Sequence, residues 1–495
     1  MQTADSSTPA STKAVSDKVP MSQKFGYGLG SLIDMWGHWL YPTLSFQVFN
    51  IFLGVAPGLV STALMINRFF DAGSDPFFGW LSDNTRSRFG RRRPYILIGA
   101  ILAGIGLPLL YMVTPGWGET VIHVNLGFWK DTLHISYYFW YMIASSAIYI
   151  PVMSCFNMPW VSLGSEMTPD YHERTSVMSI KNAIQKVPEL AMFFALQFTT
   201  LSIFDDASGK PNILRGAQVY CVILGILMIF AGIGVFSLVR ERYYHQVVSR
   251  KQERISIKET LYKTVKCKPF RKVLVMVLAY GIGTSMVAAL GYYNTVYYVC
   301  KGDIALATKW NTAMGIAGMV FGFSGLPFFT FLARRFGKRH AMITVFVMAI
   351  GAFIGDWWFY NPNLPILQIL ACGFVAFTGA GFWMLYGSIL ADVIDYDELD
   401  TGKRREGSFS SCQSWISKVG MAAGAGASGW ILQFTGFDSK LAAQAPQTIL
   451  MIRVMLSAIP VIGLLFALWA IIRFPLTHDK MDEIRLELEA RRGTV

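Results

Sequence analysis

Long apolar stretches alternate with short, charged connections throughout the 495 residues of this chain. An α-helix needs about 20 predominantly apolar residues to cross the hydrocarbon core of a bilayer. The pattern therefore predicts an all-α membrane protein with twelve transmembrane helices. The predicted spans are 25–53, 57–81, 94–114, 134–160, 177–201, 217–240, 271–300, 306–333, 341–359, 365–392, 413–435 and 449–473.

The composition strengthens this prediction and narrows the range of functions. Hydrophobic residues make up 53% of the chain and charged residues 15%, whereas a soluble domain carries roughly 25% charged residues. The six cysteines follow no disulfide or metal-ligand spacing. No combination of nucleophile and base indicates catalysis. We therefore expect a protein that is not an enzyme and that holds no cofactor or structural metal.

The basic residues are concentrated in a few connections between the spans. The net charge is +12, with five arginines in 82–93 and eleven Lys or Arg in 240–272. This clustering follows the positive-inside rule and does not indicate a nucleic-acid partner. We expect a multi-pass inner-membrane protein with both termini in the cytoplasm. Its disordered tail would cover 1–23, with no signal peptide, and a second tail would cover 475–495.

An internal repeat divides the chain into two similar halves. Residues 75–78 read Asp-Pro-Phe-Phe and 326–329 read Leu-Pro-Phe-Phe, each followed by an Arg-Phe-Gly turn with further basic residues. The sequence thus predicts six-helix bundles over 24–240 and 271–474, joined by a basic cytoplasmic loop over 241–270. Two such bundles form the major-facilitator fold, in which the substrate site lies between the halves at mid-membrane.

Two carboxylates lie within the second predicted span. Asp71 and Asp75 are four residues apart and therefore share one helix face. A charge at membrane depth costs at least about 2.5 kcal/mol on insertion scales, and two like charges also repel. A cation between them, or a proton on one, would relieve both costs, and the Ser74 hydroxyl could add a ligand for Na⁺. The alternative is a structural pair with Arg68 on the same helix.

Further polar and aromatic residues within the spans are candidates for binding a substrate. Aromatic rings that lie beside polar groups are a frequent sugar-binding arrangement. Interfacial aromatic belts and snorkelling of a lysine to the membrane surface are the alternatives for several of them. The residues are Asp34, Trp36, Asn157, Trp160, Lys181, Trp383, Gln413 and Lys418.

Two features of this set carry additional expectations. A proline-containing break at the end of the fourth span would expose backbone carbonyls beside Asn157 and Trp160. His38, close to Asp34, is either a hydrogen-bonded packing residue or a proton relay. Charged residues in the basic connections could form ion pairs that break when an inward gate opens, besides setting the orientation. These candidate gating residues are Asp83, Arg91, Arg92, Asp392, Asp395, Arg404 and Arg405.

Several motifs together resemble the glycoside–pentoside–hexuronide:cation symporter family, which includes the melibiose permease. They are the two acids followed by Pro76, the Gly-Arg-Arg-Arg-Pro turn at 90–94, and the Ala-Asp-Val-Ile-Asp-Tyr and Arg-Arg-Glu-Gly segments within 391–407. The similarity extends over about 24–475. It implies a Na⁺ or H⁺ site at Asp71 and Asp75, completed by Ser154.

The same resemblance implies sugar-pocket roles for Asn157 and Trp383, with Gln413 and Lys418 lining the cavity. The chain departs from the melibiose permease at three positions. Ser74 replaces an asparagine that is linked to Na⁺ recognition, neutral Asn157 replaces a sugar-binding aspartate, and Met35 occupies the place of the first-span acid. Asp34 lies one position earlier, which is a rotation of about 100° around a helix. A substrate other than melibiose is therefore expected.

Taken together, the sequence predicts a monomeric secondary transporter that carries a sugar or glycoside with Na⁺ or H⁺ by alternating access. Cation loading would favour sugar binding through reciprocal coupling between two sites. An exporter of amphipathic compounds and a sensor without net flux are the alternative functions. The exporter would have a more uniformly apolar cavity, and the sensor would show no counterflow.

Overall fold

The computed structural model describes residues 18–487 except 86, 126–129, 169–170, 208, 242–265, 402–405, 440, 442, 478–479 and 485. Its main elements are twelve long helices and one hairpin. The N-terminal half contains α1 (Met21–Ser45), α2 (Pro57–Asn84), α3 (Arg93–Leu109), strands β1 (Glu119–Asn125) and β2 (Lys130–Ser136), α4 (Tyr137–Glu166), α5 (Tyr171–Phe198) and α6 (Ile213–Leu238).

The C-terminal half begins with α7, which covers Lys268–Ser285 and continues through the short helix Leu290–Tyr293 into the π-helical turn Asn294–Val299. α1 ends in the same way, with a π-helical segment over Phe46–Phe52. Five further long helices follow. They are α8 (Ile304–Phe336), α9 (Lys338–Phe359), α10 (Gln368–Thr401), α11 (Glu406–Phe434) and α12 (Pro446–Ile472).

The helices differ in how apolar they are. Within the described residues, seven are long and apolar enough to cross a membrane, namely α4, α6, α7, α8, α9, α10 and α12. α3 is apolar but has only 17 residues. The other four, α1, α2, α5 and α11, contain the ionisable residues Asp34, Asp71, Lys181 and Lys418. The helices that fall short by composition are thus those that carry these ionisable candidate residues.

Both halves pack their six helices in the same arrangement. In the N-terminal half α1 contacts α5 and α6, α3 contacts α4 and α6, and α2 contacts α4. In the C-terminal half α7 contacts α11 and α12, α9 contacts α10 and α12, and α8 contacts α10. Each pair is repeated six helices later, so the repeat in the sequence is a repeat of tertiary packing.

The halves meet along two seams, α2 with α11 and α5 with α8, which the repeat also relates to each other. Trp430 Nε1 donates to Thr62 Oγ1 at 2.8 Å in the first seam, and Thr312 Oγ1 donates to the Phe193 carbonyl at 2.9 Å in the second. These contacts lie toward the end of the bundle where α1 leads into α2, here called the seam end. The other end, where the Gly90 and Gly337 turns lie, is called the basic end.

All twelve predicted spans coincide with helices, but three local predictions were wrong. α4 continues without a break through Pro151 and Pro159 to Glu166, because neighbouring helices support it on both sides. α1 begins at Met21, inside the predicted tail, since the Val19 amide and the Lys24 ammonium both bind Glu173.

The third correction concerns the segment before α4, where the predicted span 134–160 began within β2, at its last three residues. β1 and β2 form an antiparallel hairpin, and their alternating apolar and polar residues were the signal for strands. The predicted tail over 475–495 also contains packed residues. Leu476, Met481 and Ile484 are buried in the core of the C-terminal half. The predicted loop 241–270 lies mostly outside the described residues, as does most of 1–23.

Candidate functional site

The two acids of α2 share one ammonium that comes from the opposite half of the protein. Lys418 Nζ, on α11, lies 2.7 Å from Asp75 Oδ2 and 3.7 Å from Asp71 Oδ2. Asp71 is 5% exposed. Arg68, the partner considered from the sequence, instead stacks over the Trp39 ring at 5.4 Å. The cluster therefore joins the two halves across the α2–α11 seam.

Hydroxyl oxygens that could bind a cation lie on the acid-bearing helix and on α4. The Ser74 hydroxyl lies 2.7 Å from that of Ser154 on α4, so the serine implied by the family resemblance is brought to the acid-bearing helix. Asp75 Oδ1 is buried and has no hydrogen-bond partner. Carboxylate and hydroxyl oxygens are hard ligands suited to Na⁺, and the same carboxylates could hold a proton. The residues present fit either cation.

A small cavity of about 20 Å³ is lined by Asp71 itself and extends from it along α2 toward the seam end. Asn67 lines it and is 5% exposed, and neither of its side-chain amide atoms has a hydrogen-bond partner. His38 and Arg68 also line this space. Sequence reasoning missed Asn67, although its spacing of four residues from Asp71 places both on one face of α2.

Asp34 and Lys181 lie on facing helices of the N-terminal half. His38 Nδ1 is 3.2 Å from Asp34 Oδ1, one turn along α1. Lys181 Nζ, on α5, lies 5.6 Å from the centroid of the Trp160 ring and donates to Gln185 Oε1 at 2.6 Å. The structure thus places an acid, an imidazole and an amine where α1 packs against α5.

Trp36 and Trp160, both predicted to bind substrate, are packing residues in this conformation. Trp36 is 3% exposed and donates from Nε1 to the Pro188 carbonyl at 3.2 Å. Trp160 is 2% exposed, stacks on Tyr27 with a centroid separation of 5.2 Å, and donates to the Tyr27 carbonyl. Both rings bind α1 to its neighbours, so a hexose could not stack on either face.

The remaining candidates of the substrate set are more accessible. Trp383 on α10 is 47% exposed and meets the Tyr280 ring edge to face. Gln413 donates to Ser417 Oγ at 3.0 Å on α11. Asn157 Oδ1 is buried without a hydrogen-bond partner, which leaves an acceptor available on α4. Trp383 therefore offers the exposed aromatic surface that Trp160 lacks.

The candidate gating residues are only partly described. Asp392 on α10 forms an ion pair with Lys338 at 2.7 Å. The backbone amides of Arg91 and Arg92 both donate to the carboxylate of Glu241, a residue just after the end of α6. Asp395 lies half-buried on α10. Arg404 and Arg405 lie outside the described residues, as does the side chain of Asp83. Glu241 was missed because it follows the last apolar turn of α6.

Comparisons with known proteins identify the family. The family described as MFS/sugar transport protein matches residues 27–478. The isoprimeverose transporter of Lactiplantibacillus pentosus is 26% identical, covering 95% of this chain and 91% of the relative. The glucuronide carrier protein homolog of Escherichia coli is 24% identical, covering 94% and 95%. The putative glycoside/cation symporter YagG of E. coli is 24% identical, covering 96% and 95%.

Solved structures agree on the fold. The xylose transporter XylE from E. coli, in a partially occluded inward open conformation, has a TM-score of 0.56 and 13% identity, covering 92% of this chain and 99% of that one. A bacterial homolog of the human lysosomal transporter Spinster, inward-facing and occupied, has a TM-score of 0.62 and 11% identity, covering 94% and 97%. The predictions of a major-facilitator fold and of a sugar symporter are confirmed, in preference to an exporter or a sensor. This chain belongs to the MFS/sugar transport protein family, within its glycoside–pentoside–hexuronide:cation symporters, and is a multi-pass membrane transporter.

Proposed function

We propose that this protein drives uphill uptake of a sugar or glycoside with one monovalent cation, Na⁺ or H⁺, bound at Asp71 and Asp75. The observation that carries the proposal is the bond of Lys418 Nζ to Asp75 Oδ2 at 2.7 Å across the two halves. Counted without Arg68, which stacks on Trp39 at the edge of the cluster, the two carboxylates and the ammonium carry a formal charge of −1. One monovalent cation would neutralise the cluster at membrane depth, where an unbalanced charge is costly.

Lys418 would hold the acids while no cation is bound. A cation on the buried Asp75 Oδ1 and the serine hydroxyls weakens the attraction between Asp75 and Lys418, because the carboxylate charge is then shared. The α2–α11 seam loses a contact, and Lys418 becomes free to bind a sugar hydroxyl beside Gln413. Cation binding at one helix pair would thus prepare the substrate pocket next to it, and sugar binding would raise cation affinity equally.

The substrate would bind between Asp34, Asn157 and Lys181 on one side and Trp383 and Gln413 on the other. The acid, amide and amine groups can form hydrogen bonds with sugar hydroxyls, while the exposed Trp383 ring can stack on an apolar sugar face. Relatives named for isoprimeverose and glucuronide transport indicate a glycoside of neutral or acidic sugars. The contacts between the halves lie at the seam end, and the positive-inside rule places the basic end in the cytoplasm. The structure would therefore correspond to an inward-facing state.

Reconstituted vesicles test the coupling. Purified protein would be given a panel of labelled xylosides and glucuronides with an imposed Na⁺ or H⁺ gradient. Accumulation is expected in wild type and should be lost in Asp71→Asn and Asp75→Asn, while downhill exchange persists. Leu326→Asn, at the matching position of the other half, is the control. If both acid variants accumulate substrate to the wild-type level, the cation assignment is wrong.

The cellular arrangement is a separate part of this proposal. We place the chain in the inner membrane as a monomer, with both termini and the basic end in the cytoplasm, because the basic connections would then follow the positive-inside rule. A membrane-impermeant thiol reagent applied to right-side-out vesicles should label a cysteine introduced at Trp117, near the hairpin. It should not label one introduced at Phe336. The reverse pattern would invert the proposed orientation.

A further inference from the structure

An open groove lies at the basic end, on the outside of the C-terminal half. It has a volume of about 310 Å³ and runs between α8 and α9, lined by Leu332, Phe336, His340 and Thr344. We call it the α8–α9 groove. Its lining is mainly apolar, and Phe336 is 54% exposed. In a membrane transporter, a groove on the outer surface of the bundle faces lipid.

Positive charge surrounds the end of this groove. Arg335 lies over the Phe336 ring at 5.6 Å, and exposed Arg334 precedes it. Arg339 donates to the Ile472 carbonyl through Nη2, while its Nε is buried without a hydrogen-bond partner. Lys338 is bound to Asp392 and is not available. An apolar channel with guanidinium groups and a histidine at its mouth matches an acyl chain with an anionic headgroup.

The matching turn of the N-terminal half contacts groups in and just after α6, although Phe89 there is still 46% exposed. Phe89, the counterpart of Phe336, packs against Phe236 of α6 with a centroid separation of 5.8 Å. After Gly90, the backbone amides of Arg91, Arg92 and Arg93 all donate to the Glu241 carboxylate at 2.8–3.1 Å. Gly90 approaches that carboxylate so closely that a Cβ there would lie 2.5 Å from Glu241 Oε1. An apolar ring of α6 and a negative group just after it therefore contact the N-terminal turn.

We propose that one anionic phospholipid occupies the α8–α9 groove and takes the place that Phe236 and Glu241 fill in the other half. Its acyl chain lies along Leu332 and Phe336, and its phosphate is bound by Arg335 and Arg339. Guanidinium groups bind phosphate in two-point contacts, and basic residues near a membrane surface favour anionic lipid. The lipid would fasten the α8–α9 turn to the bilayer while the other half moves.

Thermal unfolding of the purified full-length protein in an uncharged detergent tests this assignment. Dioleoylphosphatidylglycerol should raise the unfolding temperature in a saturable way, and the zwitterionic dioleoylphosphatidylcholine should not. Arg335→Gln should raise the half-saturating concentration of phosphatidylglycerol about fivefold, the loss expected for one basic residue near an anionic lipid. Thr344→Trp, which fills the groove without changing charge, should weaken the effect at least as much.

Arg88→Gln is the matched control, because Arg88 lies over Phe89 as Arg335 lies over Phe336. It should leave the half-saturating concentration within about twofold of wild type. Equal losses in the two arginine variants, or equal stabilisation by both lipids, would overturn the assignment. So would stabilisation by inorganic phosphate at matched ionic strength. An unfolding temperature that rises with protein concentration instead of lipid would assign the groove to a second copy of the chain.

Discussion

The second helices of the two halves, α2 and α8, have the same shape but different chemistry. Both are long, both contain an internal proline in a Pro-Phe-Phe motif, and both pack on the fourth helix of their half. In α2 the motif follows Asp71, Ser74 and Asp75. At the matching positions α8 has Gly322, Gly325 and Leu326. The fold therefore requires neither acid, and the proposed coupling site lies in one copy only.

The difference also changes how the seams are held. α2 is bound to α11 by a charge cluster at mid-membrane, whereas α8 meets α5 through the Thr312 hydroxyl and through Lys186 over the Phe323 ring at 4.8 Å. Cation binding at the two acids of α2, as proposed, would weaken the first seam, whereas the carboxylate beside the second, Glu189, is paired within α5 with Lys186 at 2.6 Å. Opening of the seam end should therefore begin on the α2–α11 side.

Making α2 resemble α8 should have the largest effect. Asp75→Leu removes the hydrogen-bonded partner of Lys418 and half of the cation site, so uphill accumulation in vesicles should fall by about 100-fold. A 100-fold loss corresponds to a weakening of cation binding by about 2.7 kcal/mol. Far-ultraviolet circular dichroism should remain unchanged because α8 folds with leucine there. A variant that still accumulates substrate would remove Asp75 from the coupling mechanism.

Lys418→Gln should lower stability through the two acids that it leaves behind. Breaking a buried ion pair costs about 3–5 kcal/mol, and the 41% exposure of the Lys418 side chain reduces this to about 1–2 kcal/mol. NaCl should restore more stability in the variant than in wild type, because the site then carries two uncompensated charges. Unfolding temperatures with NaCl and with choline chloride measure this. An equal gain in both proteins would contradict the shared site.

Gly429→Val should open the α2–α11 seam more than Gly315→Val opens the α5–α8 seam. A Cβ at Gly429 would lie 2.0 Å from the Pro57 carbonyl oxygen, so two backbones must separate. At Gly315 the nearest neighbour is the Phe193 ring, which can rotate away. We expect a cost of about 1–3 kcal/mol and longer spin-label distances across the seam end. Gly351→Val, where nothing lies within 4 Å, is the control, and an equal shift there would refute the seam argument.

The smallest effect is expected at Asp356, a buried acid of the C-terminal half. It is 6% exposed on α9, and its Oδ1 has no hydrogen-bond partner. Burying an acid without a partner is unfavourable, so the neutral amide in Asp356→Asn should be tolerated. Uphill accumulation in vesicles should stay within about twofold of wild type. A loss as large as that of Asp75→Leu would mean that both halves take part in coupling.

Hydrophobic patterning predicted the fold well because twelve spans and their repeat are properties of local sequence. It also identified Asp71 and Asp75, since two acids on one helix face in a membrane are rare enough to stand out. Their partnership with Lys418 could not be predicted, because 343 residues separate Lys418 from Asp75 and only tertiary packing brings them together. A lysine alone in a span could equally well have snorkelled to the surface.

Aromatic residues were harder to interpret because their surroundings, too, depend on tertiary packing. Trp36, Trp160 and Trp383 looked alike in sequence, yet two are buried and one is exposed. Whether a ring faces a cavity depends on which helix covers it. The hairpin before α4 was missed because a search for long apolar spans passes over a strand pair. Asn67 was missed because a neutral amide costs less in a membrane than a charge and so attracted no attention.

The π-helical ends of α1 and α7 give the seam end a particular mechanical character. Each is wound more widely than the helix before it. Tyr293, the residue immediately before the second segment, donates to Asn50 Oδ1 of the first, and its ring meets Phe46 edge to face. A π-helical turn accommodates one residue more than an α-helical turn, so rewinding it shifts the chain beyond by one residue. Two matched segments of this kind can lengthen or shorten together. The seam end would then open by local rewinding of these two segments, before any whole helix tilts.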